Sequence, residues 1–255
     1  MPDDSEPRPD FTHAEIGIVH ATAMEVAPFL DRCDRVRKYT GGNFTFRGGF
    51  FGEVRIALAQ SGMGSALAAH ATQALIDGHE PVWIISAGFS GALRPEMRLG
   101  DIVVGNSIAD LAGGELAIDL KMPPDPARGL HVGRLLTVER MIRTVEEKQT
   151  LGERHQAIAV DMESFAVAQV CRRAKVRFLA VRVISDDLSA DLPAELLSVV
   201  GSSGTVRLGA VAGALFKRLG SARDLWRLRE QATAAAERLA KFLDGVVDQL
   251  HQSSG

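Results

Sequence analysis

The stretch IAVDMESFAVAQVCRRAKVRFLAVRVISDD, Ile158 to Asp187, decides the fold. Ile158 to Met162 is a short apolar run, and Ser164 to Arg173 has helical periodicity. Phe178 to Ile184 is β-branched and apolar apart from Arg182, the mark of a strand covered on both faces. Arg182, inside that strand, reads as a structural support. Strand, helix and strand in this order imply a parallel pair with a helical crossover.

The same alternation extends outward. Ile16 to His20 is an apolar run, and Met24 to Leu30 opens a helix. Asn43 to Phe46 and Glu53 to Ala59 resemble a hairpin joined across Gly48-Gly49 and Gly52. A helix is expected over Ala66 to Asp77, then a strand over Val82 to Ser86 and a tight turn over Gly88 to Gly91. Ile102 to Val104 and Leu130 to Leu136 read as strands, and Val138 to Leu151 as a helix. Leu111 to Arg128, with Gly113-Gly114 and Pro123-Pro124, is a loop that serves as a lid or as a surface excursion. Ala222 to Leu250 is an amphipathic helix with Leu225, Leu228, Leu239, Phe242 and Val246 near one stripe. These elements predict a mostly parallel sheet flanked by helices in one α/β domain over residues 15–250, behind a flexible tail at residues 1–14.

The 255 residues are 46% hydrophobic and 24% charged, enough apolar material for a sizeable core and not a disordered composition. A net charge of -3 lacks the basic excess of a nucleic-acid binder, whereas a nucleoside-sized ligand has no phosphate backbone to neutralise. Cys33 and Cys171 have no metal-ligand spacing, the seven histidines are scattered, and neither metal nor cofactor is expected. His20 reads as a strand-end residue. Met1 to Glu15 is rich in Pro and acids with no apolar stretch, so it reads as no secretory signal. No segment reaches the roughly 18 apolar residues of a membrane span. The expected setting is cytoplasmic.

Ligands of such sheets collect at the carboxyl ends of strands, beside glycine-rich turns. Ser61-Gly62-Met63-Gly64 and Ser86-Ala87-Gly88-Phe89-Ser90-Gly91 are two such crossings. Each is a tight turn or a place where backbone approaches ligand, and Phe89 is a core residue or a stacking ring. Val160-Asp161-Met162-Glu163 and Val183-Ile184-Ser185-Asp186-Asp187 each deliver a carboxylate to a strand tip. Glu163 suits a ribose diol, or merely the start of a helix. Asp186, walled by apolar groups, suits proton donation, or merely caps a turn; Asp187 is the better cap. Glu25, near the first turn of the first helix, reads alone as a solvated residue.

In this order the combination resembles the nucleoside phosphorylase and nucleosidase superfamily, in particular its 5'-methylthioadenosine/S-adenosylhomocysteine nucleosidase type. The likeness runs from Ile16 to Asp186, without the loop Leu111 to Arg128. It implies a single α/β domain with a central mixed, partly closed sheet flanked by helices, and homo-oligomers, a dimer first. It implies that Glu25 polarises the attacking water and that Met63 makes an apolar contact at the sugar. Gly88 to Gly91, with Phe89, would lie under the base; Met162 and Glu163 would hold the ribose; Ser185 and Asp186 would donate to N7 of the leaving purine. Two features depart from the nucleosidases: Phe89-Ser90 replaces a Ser-Ala pair, and an aromatic segment before the Met-Glu strand is missing. Leu135-Leu136-Thr137, Glu147-Lys148, Val160 to Ser164, Leu192-Pro193 and Gly204 to Leu243 look more like the hopanoid-associated phosphorylase branch.

The implied reaction is cleavage of the N-glycosidic bond of a purine nucleoside: methylthioadenosine, another adenosyl compound or futalosine. Water and phosphate are the two co-substrates to weigh. The resemblance associates phosphorolysis with a Gly-Asp-Pro opening and a nearby Arg, both missing here, so hydrolysis is expected. Arg47, Arg94 and Arg140 would have to supply the alternative phosphate site. Two other classes remain open: a nucleoside sensor without turnover, and an enzyme on a nucleoside-bearing lipid, with Lys217, Arg218, Arg223, Arg227 and Arg229 around Leu225 and Trp226 facing a membrane.

Overall fold

The structure is a computed structural model that describes residues 13–192 and 222–253, the first eight of the latter by backbone alone. Residues 1–12 of the expected tail lie outside the described residues, as do Pro193, the stretch 204–221, and the side chains of Leu225, Trp226, Leu228 and the five basic residues around them. Ala14 is buried, and its N–H donates to the His79 carbonyl.

The chain runs β1 (Ile16–His20), α1 (Ala23–Leu30), β2 (Asp34–Gly41), β3 (Phe44–Phe51), β4 (Val54–Gln60), α2 (Ser65–His79) and β5 (Trp83–Ala92). It continues with β6 (Ile102–Asp110), β7 (Glu115–Ala117), a 3-10 turn at Pro126–Arg128, β8 (Leu130–Thr137), α3 (Val145–His155), β9 (Ala159–Asp161), α4 (Ser164–Ala174) and β10 (Arg177–Asp186). Helix α5 (Ala222–Gln252) follows. The quoted stretch is thus β9, α4 and β10, with all five β1 residues and Leu179 to Ile184 of β10 buried as expected.

The sheet is mixed, as the resemblance implies, rather than mostly parallel. β1–β4, β1–β5, β5–β10, β6–β8 and β8–β9 are parallel, while β2–β3, β3–β4, β5–β9, β6–β7 and β6–β10 are antiparallel. β5 is the hub. It pairs with β10 and β9, and the path β10-β6-β8-β9 between them closes a five-stranded ring. On its other side, β1, β4, β3 and β2 form an open wing.

Several element boundaries, and one whole strand, differ from the expectation. Gly88 to Gly91 is no turn: β5 runs straight through it, pairing with Arg182 to Asp186 of β10. Gly48 and Gly49 lie inside β3, paired with Ala57 and Ile56, and the hairpin turns at Gly52-Glu53. The expected hairpin also lacked its third strand, β2, which is exposed along its whole length and so carries no alternation to read. The helix expected from Val138 starts only at Val145, because Thr144 caps it by accepting from the Glu147 N–H. Val138, Met141 and Ile142 mimic a helical face, but they belong to a loop that lines a cavity.

Helix α5 lays Leu239, Leu243 and Val247, all fully buried, on the core that also holds Val26 and Phe29 of α1. Arg32, just past α1, pairs with Glu237 at 2.8 Å and Asp244 at 2.5 Å on that helix. The clamp fixes α1, and with it Glu25.

Candidate active site

Parallel pairing of β1, β4, β5 and β10 brings their carboxyl ends to one rim, and the C-terminal end of antiparallel β9 meets β5 beside it. A cavity of about 200 Å³ opens there. Glu25, Met63, Phe89, Met162, Glu163, Ser185 and Asp186 line it, so seven of the eight residues singled out from the sequence meet at one place. Gly88 does not line it; it lies in the wall behind.

Glu25 is not the solvated residue that its position alone suggests. It is the third residue of α1, only 4% exposed. Its Oε2 accepts from the Thr22 N–H at 2.7 Å, closing the first turn of the helix, and its Oε1 accepts from the Phe89 N–H at 3.0 Å. Burial pushes its carboxyl up from the usual carboxylate range, against those two amides and the Arg182 charge.

Glu163 occupies the N-cap position of α4, two residues past the end of β9, without bonding the helix amides through its side chain. Its Oε1 accepts from the N–H of Gly64, the last residue of the Ser61 to Gly64 turn, at 2.9 Å. Its Oε2 is 3.7 Å from Arg182 Nη1. Burial pushes its carboxyl up to about 7; Arg182 opposes the shift, while Asp161 and Glu25 add to it.

Arg182 does more than support the strand. It is 1% exposed, and its Nη2 lies 2.8 Å from Asp161 Oδ2, 2.8 Å from Ser86 Oγ and 2.9 Å from Ser164 Oγ. A fully desolvated guanidinium needs such partners on every side. It is the cation behind Glu25 and Glu163. The Gly88 position explains why both fit: a Cβ there would stand 2.6 Å from Glu25 Oε1 and 2.6 Å from Arg182 Nη1. Asp161, not singled out in the sequence beside Glu163, also lines the cavity; it accepts from Thr137 Oγ1 at 2.7 Å.

Asp186 stands at the tip of β10, as expected, but its surroundings are not apolar. Its Oδ1 accepts from Ser185 Oγ at 2.8 Å, and its Oδ2 pairs with Lys148 Nζ at 2.5 Å. Lys148, from α3, is fully buried and does not line the cavity. Gly91 leaves room for this pair, since a Cβ there would lie 2.9 Å from Asp186 Oδ2 and 3.5 Å from Lys148 Cε. Asp187 caps its own turn, accepting from the Ser189 N–H at 2.9 Å.

The arginines weighed for phosphate are scattered. Arg94 donates to the Gly152 carbonyl, Arg47 does not line the cavity, and Arg140 lines it but pairs with Glu147. His20 ends β1, buried, with Nδ1 2.8 Å from the Thr22 carbonyl; burial lowers its pKa to about 4, so the ring is neutral. Among the described residues no group of His, Cys, Asp and Glu could hold a metal ion, and no helix is long and apolar enough to cross a membrane.

Comparison with known proteins bears on the family and the fold. The family model described as the phosphorylase superfamily matches residues 15–248. The 5'-methylthioadenosine/S-adenosylhomocysteine nucleosidase of Staphylococcus haemolyticus is 26% identical over 195 residues, 67% of this chain and 86% of the relative. That of Maridesulfovibrio salexigens is 27% identical over 202 residues, 69% of this chain and 87% of the relative. The fold matches the solved nucleosidase of Neisseria meningitidis in complex with methylthio-immucillin-A, with a TM-score of 0.68 at 20% identity over 92% of this chain and 98% of that one. It also matches the futalosine hydrolase of Helicobacter pylori, with a TM-score of 0.67 at 18% identity over 92% and 97%.

Proposed function

We propose that this chain, which belongs to the phosphorylase superfamily, hydrolyses the N-glycosidic bond of a purine nucleoside of the adenosyl type. One observation carries the reading: Glu25, Glu163 and Asp186, from three distant segments, line a single cavity. Relatives named as 5'-methylthioadenosine/S-adenosylhomocysteine nucleosidases, each matched over most of its length, support the substrate class.

As the bond lengthens, positive charge develops on the sugar and negative charge on the base. Glu163, fixed by the Gly64 amide, accepts from the ribose hydroxyls and places negative charge beside the forming cation. Ser185 and Asp186 face the leaving base and supply the hydrogen bond or proton that it needs, a contribution of about 100- to 10,000-fold for a well-placed acid. Met63, Met162 and Phe89 give the apolar walls. Glu25 holds the nucleophilic water and takes its proton.

The charge balance favours water over phosphate. Glu25, Asp161, Glu163 and Asp186 line the cavity, against Arg140, itself paired with Glu147, and two buried cations, Arg182 and Lys148, in contact with the acids. An excess of carboxyl groups suits an oxocarbenium-like sugar and repels a phosphate dianion.

The test is incubation with 5'-methylthioadenosine, S-adenosylhomocysteine, adenosine and futalosine, with and without phosphate, followed by chromatography of the released base. Base and free sugar without phosphate are expected. No released base overturns the function. Strict dependence on phosphate, with a sugar 1-phosphate as product, replaces hydrolysis by phosphorolysis. A cytoplasmic homodimer is the form in which we expect the enzyme to act, and light scattering of the purified protein reads the assembly.

A further inference from the structure

Lys148 is a lysine with no exposed surface whose ammonium group reaches only part of the site. From α3 it passes beside Gly91 and ends 2.5 Å from Asp186 Oδ2 and 3.2 Å from the Asp187 carbonyl. Asp186, which lines the cavity, is thereby held at both oxygens, by Lys148 at one and by Ser185 at the other. A buried ammonium is costly to desolvate and persists where a counter-charge sits against it. Here the counter-charge is the one acid placed to face the leaving base, and the backbone has given up a side chain at Gly91 to let the two meet.

We propose that Lys148 is a positioning residue that acts through Asp186: its ammonium fixes the carboxyl group against the leaving base and supplies the proton that Asp186 passes on. The inference rests on the N-glycosidic reading of the site. When the bond between sugar and base breaks, its electron pair stays on the base. Lys148 hands a proton to the Asp186 carboxylate, which passes it to the base, so Lys148 is left as a neutral amine and Asp186 as a carboxylate again. Water adds its hydroxyl to the anomeric carbon and gives its other proton to Glu25. Solvent returns a proton to Lys148 after the base has left and removes one from Glu25, so the sum is nucleoside plus water to base plus sugar.

The test compares wild type with Lys148→Met on two nucleosides of the same sugar, one carrying adenine and one a halogenated adenine, which leaves more readily as an anion. On the adenine nucleoside, kcat is expected to fall about 100-fold, the low end of what a placed acid contributes, with KM within about threefold. On the halogenated nucleoside the loss is expected to shrink below about tenfold. Equal losses on both, or a raised KM with unchanged kcat, overturn the proposal and leave Lys148 a packing residue. If Lys148→Met fails to fold, as read by circular dichroism, the pair Lys148→Met with Asp186→Asn, neutral on both sides, carries the test. Adding Lys148→Met to Asp186→Asn then costs under about threefold in single-turnover rate, and a further loss of tenfold or more overturns the coupling. A wild type that releases no base from any nucleoside refutes the function itself, and this inference with it.

Discussion

Replacing Gly88 by alanine adds one methyl group at the most crowded point behind the cavity. The new Cβ would lie 2.6 Å from both Glu25 Oε1 and Arg182 Nη1, and 3.1 Å from Glu25 Cδ. Ordinary contact needs about 3.5 Å or more, so both groups must retreat by roughly 1 Å. Neither has slack: Glu25 is 4% and Arg182 1% exposed. Overpacking of this kind costs about 1–3 kcal/mol. Moving Oε1 also breaks its bond from the Phe89 N–H, which leaves a buried donor unpaired at a further ~1–3 kcal/mol. At about 2–4 °C per kcal/mol for a chain of this size, Gly88→Ala should melt roughly 5–20 °C below wild type. Displacing by about 1 Å the carboxylate proposed to take the proton from water should cost around 100-fold in kcat. Thermal denaturation and steady-state turnover on the best nucleoside read the two effects. A variant that melts within 2 °C of wild type and turns over within about threefold would refute the crowding argument.

Glu25→Gln keeps the size of the side chain but cannot take a proton from water, so hydrolysis should fall by at least about 100-fold; if only the melting temperature changes, Glu25 is structural. Glu163 gives the ligand-free protein a pH signature. Its carboxyl sits at about 7 in the fold against 4.5 as its ordinary value, so between these pH values the unfolded chain releases a proton that the folded protein keeps. Nothing is lost below pH 4.5 through this group, stability declines as pH rises towards 7, and the decline then levels off, at about 3 kcal/mol at most. The melting temperature of Glu163→Gln should therefore gain on wild type across that window; a difference independent of pH would contradict the burial argument.

The sequence carried the strand tips well and the interior charges poorly. β10 was legible because a run from Leu179 to Ile184 that is buried on both faces must be apolar on both, and its exit at Ser185-Asp186 followed. β5 was cut short because glycines at 88 and 91 usually mark a bend, whereas here they make room for Glu25, Arg182 and the Lys148–Asp186 pair. Such contacts join residues more than 35 apart in sequence, and no local periodicity encodes them. Lys148 lies in an otherwise polar helix, where a lysine reads as solvated. Arg182 showed itself only as an oddity in an apolar strand. Val138 to Ile142 had the spacing of a helix, yet its apolar side chains line the cavity, and periodicity alone does not tell a ligand wall from a core face.

The clamp between Arg32 and helix α5 has a consequence for biosynthesis. Translation delivers Glu25, Glu163 and Asp186 well before Glu237 and Asp244, which anchor the start of the protein to its late helix. A nascent polypeptide stalled after residue 192 already holds every acid of the cavity but leaves Val26 and Phe29 without the leucines that cover them. Competence should thus arise abruptly, once α5 has cleared the ribosome tunnel and docked.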